Sequence, residues 1–562
     1  MKKIFALFLC AALLLGVFSV GAGAATDDLL LGVRSVMPYK FACDVFRYIP
    51  AAAEWLDKGL GITGYPYVSF GYNLMYYLLL PFGAAANAVG GLFSPKHACR
   101  FCVPDYEIPV RFQSENLALG AAVTAEGKSA AYLLEESRKC WTPANEGDAV
   151  ELQLAQTSTF NLAVIQELGE QVLYFRLQAW VGGAWQDIYR CEKIQRYRMC
   201  GFEPVTTDRV RLVIEKIRGD DSEPVRIKSI ALYNEPRRGA QDFQVAAYTH
   251  LQAPWPGFPH KLFSEIVARG EADAWARYYD VYNTVILFQS IYFNDNGDLL
   301  YKNGEDYFAR ELAALKEIVA RRTNPHEVKL TADFLSNASD FGSLGVNALM
   351  ALHWEKIADQ AIAFLRKYDL DGLAIDWEFP ETEDDWRVHD SFVARLDDGL
   401  EAVKPGAIIT GAYYPHAMGD MSLETAARFD RINYMAYDDP DRDGFNSNLS
   451  AAQGGVAAFH RRKNVDVGKI NIGIGMYSKP NNVLWREQPG TNYWDCGYYN
   501  EQSGGYQGFC SPAVAGDKVT YALLAGAGGV MVWAFEFDLA ADDPASIVGG
   551  MEDALKRYTT NW

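Results

Sequence analysis

Between Phe243 and Phe535, eight short apolar runs alternate with longer stretches of helical character, and this alternation restricts the fold more than any other feature. The runs are Phe243–Ala247, Thr284–Phe288, Val328–Phe334, Gly372–Phe379, Ala407–Tyr413, Arg431–Tyr437, Ile470–Met476 and Gly529–Phe535. Between the third and fourth, Trp354 to Tyr368 carries apolar residues at every third or fourth position, the period of an amphipathic helix. Strands separated by helices pair in parallel as βα units. Eight such units in about 320 residues fit one (β/α)8 TIM barrel, the α/β architecture whose chemistry sits at the C-terminal ends of the strands.

The fourth run, Asp371-Gly372-Leu373-Ala374-Ile375-Asp376-Trp377-Glu378-Phe379-Pro380, is the one with acids in it. Side chains alternate across a strand, so Leu373, Ile375, Trp377 and Phe379 share an apolar face suited to a layer of helices. Gly372, Ala374, Asp376 and Glu378 share the other face, which starts small and ends acidic. Carboxylates at i and i+2 lie about 6 to 7 Å apart along a strand. In a partly dry site both cannot ionise freely, so one is pushed toward its protonated form and can donate a proton. Two solvated acids, or an acid pair serving a metal, are the competing readings. Burying acids inside so apolar a run is costly without a purpose.

This stretch resembles the active-site strand of the family 18 glycoside hydrolases, the chitinases and endo-β-N-acetylglucosaminidases. The family pattern Asp-x-x-Asp-x-Asp-x-Glu is met by Asp371, Asp376 and Glu378, with Ala374 where the family has its middle Asp. Asn433-Tyr434-Met435-Ala436-Tyr437-Asp438 resembles the family's Met-x-Tyr-Asp motif. Ile472-Gly473-Ile474-Gly475-Met476-Tyr477 is similar to its Gly-x-x-x-Tyr ending, and Trp533 stands where the family places a pocket-floor tryptophan. The third strand departs, reading Thr331-Ala332-Asp333-Phe334-Leu335 where Ser-x-Gly-Gly is usual. About 40 residues separate Tyr477 from Val519, too few for the α+β insertion that walls the tunnel of processive chitinases, so an open cleft is expected.

The resemblance implies a retaining, substrate-assisted glycosidase, in which the substrate's 2-acetamido oxygen attacks the anomeric carbon. Glu378 would be the acid and later the base, Asp376 would orient the acetamido N–H, and Tyr437 would bond its oxygen. Trp533, Asp438, Tyr477, Met435 and Asp371 are the implied substrate-binding residues. No metal or organic cofactor is called for. The partner is a polysaccharide or glycan containing N-acetylglucosamine. The Trp377-Glu378-Phe379-Pro380 ending favours a chitinase, with an endo-β-N-acetylglucosaminidase on N-glycans, or a non-hydrolytic sugar-binding protein, as alternatives. In relatives the middle Asp shares a proton with its neighbour. Ala374 therefore implies that Asp376 loses that partner and stays ionised to lower pH.

Residues 111–236 show a different pattern, short alternating runs such as Ala149–Leu154, Phe160–Ile165, Val172–Ala179, Arg209–Ile214 and Ile227–Tyr233. They imply an antiparallel β-sandwich. Asn116-Leu117-Ala118, Cys140-Trp141-Thr142-Pro143, Asn161 to Glu167, Trp185 and Arg209-Val210-Arg211-Leu212 resemble the discoidin-like, coagulation factor 5/8 type C module. Such a module binds sugars on secreted glycosidases, and Trp141 and Trp185 are either core residues or sugar platforms. The polar break Pro236-Arg237-Arg238-Gly239 separates it from the barrel at 240–562.

Residues 1–24 read as a secretory signal peptide: Lys2 and Lys3, the apolar run Ile4 to Val20, then Ala22-Gly23-Ala24. An extracellular protein is expected, with cell-surface association open. Residues 25–110 hold no charge between Lys58 and Lys96, but Pro66, Pro81, Asn73, Asn87 and seven glycines interrupt the run. Packing on the folded domains is favoured there over a membrane-associated hairpin through 59–95. A net charge of -19 argues against nucleic acid. Export permits disulfides among the eight cysteines beyond the signal, and Cys496 with Cys510 is the best local pair. Cys99-Arg-Phe-Cys102 lacks a matching second pair for zinc.

Overall fold

A computed structural model describes residues 110–135, 139–218, 224–251, 262–336, 343–418, 421–441, 443–500 and 505–562. The expected signal peptide, the apolar segment with its 59–95 run, and Cys43, Cys99 and Cys102 lie outside the described residues. Among the described residues no helix is long and apolar enough to cross a membrane. Glu107–Trp562 forms one compact unit that holds both of the expected β regions.

The N-terminal region is a seven-stranded antiparallel sheet. Its strands are β1 (Ala122–Ala125), β2 (Lys128–Ser129), β3 (Ala149–Glu167), β4 (Val172–Val181), β5 (Ala184–Cys191), β6 (Tyr197–Ile217) and β7 (Ile227–Tyr233). Two of the runs read separately in the sequence, Ala149–Leu154 and Phe160–Ile165, are one long strand. β3 keeps its pairing with β6 through register shifts between Gln153 and Ser158 and between Phe160 and Leu162, so the polar stretch between the runs bends the strand without ending it. Trp141 is buried in the core, whereas Trp185 lies against Trp180 at 5.4 Å between ring centroids, with the Arg209 and Arg211 guanidinium groups over it.

The C-terminal region is a closed barrel of eight parallel strands. In chain order they are β8 (Gln244–His250), β9 (Thr284–Phe288), β12 (Lys329–Phe334), β13 (Gly372–Ile375), β14 (Ile408–Tyr413), β15 (Arg431–Tyr434), β16 (Ile470–Gly475) and β19 (Gly529–Trp533). Two short hairpins, β10–β11 (Tyr292–Phe293 and Leu299–Leu300) and β17–β18 (Gly497–Asn500 and Gly505–Gly508), sit in connecting loops. The amphipathic period at Trp354–Tyr368 belongs to the helix Val346–Tyr368.

Strands four, six and eight stop sooner than their apolar runs. Pairing between β13 and β14 ends at Ile375↔Gly411, and Asp376 makes one further bond, from its N–H to the Phe334 carbonyl at 3.1 Å. Beyond that point the diverging strands offer no ladder partner. Asp376, Glu378 and Tyr437 therefore stand on segments leaving the strands at the barrel mouth. A strong helix start fixes where the chain goes next. Thr382 and Asp385 form a reciprocal capping box at the head of the helix Glu383–Val403, whose first turn holds three acids facing the positive end of its dipole.

Polar residues brace the interior below the mouth. The Gln244 amide donates to Thr284 Oγ1 at 3.0 Å, and the Asn471 amide donates to Asn433 Oδ1 at 2.9 Å and to Gln244. The sheet and barrel are joined by buried polar contacts. Arg198 on β6 pairs with Asp517 of the helix Pro512–Ala525 at 2.8 Å, and Tyr189 on β5 donates to the same carboxylate at 2.5 Å. Cys496 and Cys510 are both buried thiols, not a disulfide. Cys496 Sγ lies 3.3 Å from the Ser511 hydroxyl and also contacts the thiol of Cys191 on β5, so its neighbours come from outside the loop it brackets.

Several buried acids set a pH dependence. Burial pushes Glu167 up to about 8, Glu192 to about 7, and Asp517 and Asp538 to about 6. Over the window from about 4 to about 8 these acids bind more protons in the folded chain than in the unfolded one, outnumbering His326 and His389, which burial lowers and which act the other way, so stability falls as pH rises. Melting temperatures should be highest near the acidic end of this window and decline toward pH 8. A melting temperature that climbs between pH 5 and pH 8 would contradict this.

Candidate active site

The C-terminal mouth of the barrel gathers acids, tyrosines and one tryptophan. Asp376 is buried and Glu378, two residues on, is exposed to the opening. Their carboxyls share a hydrogen bond that favours the proton on Asp376. Burial, then the nearby Asp333 and Glu378 carboxyls, hold Asp376 well above the usual carboxylate range. Glu378 is raised mainly by desolvation, which suits a proton donor. Although position 374 carries no carboxylate, Asp376 does not sit in an acid-free layer. Asp333 from the adjoining strand lies opposite Ala374 and raises Asp376.

Tyr437 is buried beside this pair, its hydroxyl 3.9 Å from Met531 Sδ, a weak acceptor that leaves it able to bond something stronger. Glycines make room for the ring: a Cβ at Gly473 would lie 2.9 Å from Tyr437 Cε1 and 2.4 Å from the Tyr434 carbonyl, and one at Gly475 would lie 2.9 Å from Tyr437 Cβ. Buried Lys518 ties these loops down, donating to Ser447 Oγ at 2.7 Å and to the Gly473 carbonyl at 2.8 Å.

Trp533 ends β19 with its indole partly exposed. Phe288, Tyr248, His250 and Phe537 hold it edge-on, at 4.5, 5.4, 5.9 and 6.4 Å between centroids. A rigid, half-open aromatic plane of this kind can carry the apolar face of a sugar ring. On the adjoining rim, beyond β15 and β16, Asp438 accepts from the Tyr477 hydroxyl at 2.6 Å and pairs with Lys479 at 2.7 Å. Asn446 accepts from the Asp438 N–H at 2.8 Å and donates to the Tyr477 carbonyl at 3.1 Å, fixing both residues. Met435 is buried, its N–H on the Tyr413 carbonyl at 3.2 Å, and packs as part of the core.

Asp371 is not part of this cluster. It precedes β13 at the other end of the barrel, roughly 16 Å from Asp376 along the strand. There it accepts from the Leu330 N–H at 2.9 Å and from Lys404 Nζ at 3.0 Å, so its role is to anchor the strand.

Three groups at the mouth escaped the sequence reading as site residues. Asp333 is fully buried, and its signal was available: a carboxylate inside an apolar run, as at Asp376. Tyr248 on β8 places a buried hydroxyl near Asp376, Asp333 and the Asn433 side chain, and nothing in its sequence setting marks it. Tyr414 and His416 form a stacked pair at 5.3 Å past the end of β14, close to Phe379. Among the described residues no group of three or more His, Cys, Asp or Glu is arranged to hold a metal ion.

No curated protein matches the chain. Among solved structures it is similar to a chitinase from Bacteroides thetaiotaomicron, at 16% identity over 56% of this chain and 97% of that one, with a TM-score of 0.41. It is also similar to catalytic domain 2 of the Group II chitinase of Ostrinia furnacalis, at 16% identity over 56% and 97%, with a TM-score of 0.43. A third is the chitinase-like agglutinin RobpsCRA of Robinia pseudoacacia, at 14% identity over 55% and 98%, with a TM-score of 0.40. Residues 282–538, which contain seven of the eight barrel strands and every acid of the mouth, match the family model of the glycosyl hydrolases family 18.

Proposed function

We propose that this protein is a family 18 glycoside hydrolase that cleaves β-1,4 linkages following N-acetylglucosamine, with retention and with the substrate's own acetamido group as nucleophile. The observation that carries the reading is the hydrogen-bonded Asp376–Glu378 pair at the open end of the barrel, flanked by the Tyr437 hydroxyl and the Trp533 plane. Glu378 gives its proton to the leaving glycosidic oxygen as the acetamido oxygen bonds to C1 and the C1–O bond breaks. Asp376 accepts the acetamido N–H and offsets the positive charge of the resulting oxazolinium ring. Tyr437 donates to the acetamido oxygen and Trp533 supports the sugar from below. Water then attacks C1, returning its proton to Glu378, and the ring opens. Ordinary retaining enzymes need a second carboxylate as nucleophile, which this mechanism does not require.

A chitin-type oligosaccharide is the first substrate. Cleavage within the chitobiose core of N-glycans is the second reading, favoured by one observation. Between β16 and the helix Pro512–Ala525 the described residues form a short 3-10 turn and the β17–β18 hairpin, and among them no added domain walls the cleft. The antiparallel sheet serves in this reading as a discoidin-like sugar-binding module, and residues 1–24 as the signal that exports the enzyme.

Proton NMR of the first product from chitooligosaccharides should show the β-anomer before mutarotation, and thiazoline mimics of the oxazoline should inhibit. An initial α-anomer, or efficient hydrolysis of a substrate lacking the acetamido group, would refute the mechanism. Product analysis on an N-glycoprotein separates the two substrate classes.

A further inference from the structure

Position 374 is a methyl group, yet the space in front of it is not free of charge. β12 and β13 pair in parallel with Asp333 opposite Ala374 and Phe334 opposite Ile375. Residues opposite one another in a parallel pair project to the same face, so the Asp333 carboxyl enters the barrel at the level of the Ala374 methyl, one layer below Asp376. Both Asp333 and Ala374 are fully buried. The Gln289 N–H donates to Asp333 Oδ1 at 3.1 Å and the Ser336 hydroxyl also approaches the carboxyl, which together fix the side chain. Asp333 Oδ2 and Asp376 Oδ1 are both buried without a well-aligned hydrogen-bond donor. Two ionised carboxylates offer only acceptors, so atoms so placed are satisfied when the pair holds a proton.

We propose that Asp333 is a positioning residue for Asp376, supplying from the third barrel strand the carboxyl that position 374 lacks and sharing one proton with Asp376 beneath Glu378. This rests on the glycosidase reading for its role in turnover, though not for the proton itself. The pair keeps one proton and one negative charge throughout. The proton lies on Asp376 while that group donates to Glu378. It passes to Asp333 when Asp376 must accept the acetamido N–H and face the oxazolinium. Glu378 carries its own separate proton to the leaving oxygen. The other titratable groups near the pair are Tyr248 from β8, Tyr437 beyond β15 and Glu378 itself, with Tyr413 of β14 on the helix side, its hydroxyl 2.7 Å from His389 Nε2. The tyrosines are held neutral by burial, so the pair's charge is set by the carboxyls. The electrostatic effect of Asp333 on Asp376 has the sign the proposal needs, raising it. A carboxyl added at 374 with Asp333 still present would place a third acid in the same dry layer and destabilise the barrel.

The test moves the carboxyl from one strand to the other. Asp333→Asn keeps shape and removes the charge. It should lower kcat about tenfold or more with KM little changed, and move the acidic limb of the pH profile down by about one unit, a tenfold change in protonated fraction. The double variant Asp333→Ser/Ala374→Asp should recover kcat and the profile. Carboxyl 13C NMR of aspartate-labelled protein, with the Asp376 signal assigned from Asp376→Asn, reads the same coupling without substrate. The Asp376 midpoint should fall in Asp333→Asn and return in the double variant. An unchanged midpoint in folded Asp333→Asn, or a folded double variant that recovers neither midpoint nor rate, overturns the proposal. If the wild type cleaves no β-N-acetylglucosaminide, the glycosidase reading fails while the titration still decides the proton pair.

Discussion

Glu378→Gln should abolish hydrolysis of chitooligosaccharides, with a loss of about 10²- to 10⁴-fold in kcat and sugar binding largely kept. The amide has the shape of the acid and can still bond the glycosidic oxygen, but it has no proton to give. Because Glu378 is exposed at the mouth, its replacement removes no buried packing, and the melting temperature should stay near that of the wild type. The variant also relieves Asp376 of one neighbouring acid, so the Asp376 carboxyl should titrate lower. Wild-type turnover in a folded Glu378→Gln protein would remove Glu378 as the acid and with it the proposed mechanism. Calorimetric binding of an oligosaccharide to the inactive variant would separate loss of chemistry from loss of substrate.

Arg198→Ala should produce the largest loss of stability, roughly 3–5 kcal/mol, the usual cost of stranding one member of a buried ion pair. The side chains of Arg198 and Asp517 are 1% and 3% exposed. Arg198 also donates to the Tyr189 hydroxyl at 2.8 Å, to Cys191 Sγ at 2.9 Å and to the Lys193 carbonyl at 3.3 Å. Without the guanidinium, Asp517 must stay charged in a dry junction or take up a proton. Destabilisation of Arg198→Ala should therefore be smaller at low pH than at neutral pH. An apolar pair, Arg198→Met with Asp517→Leu, should recover much of the loss, because it removes the stranded charge along with the partner. Urea melts of the single and double variants at two pH values check both statements. Equal losses for Arg198→Ala and the double variant would mean that packing, not charge, holds the junction.

Much of the barrel was legible in the chain because its signals are local. Strand and helix periods differ, and the eight apolar runs coincide with the eight strands to within a few residues at their starts. Their ends were read too long at strands four, six and eight. Apolar sequence continues past the point where neighbouring strands part, and only the neighbours decide where pairing stops. The placement of Asp376 and Glu378 at the mouth was likewise local, since chain direction and strand parity carry it. What needed the tertiary structure was everything set by register between distant segments. Asp371 looks like a member of the acidic motif but lies at the foot of the strand, bonded to Lys404. Ala374 looks like a lost carboxylate, but Asp333, some 40 residues earlier, stands beside it in register. Cys496 looks like the partner of Cys510, but its nearest groups are Ser511 and Cys191 of another sheet. Local period determined the number, order and direction of the elements. Which side chains meet in the dry interior was decided by long-range pairing, because burial and Coulomb terms depend on distance in space and not along the chain.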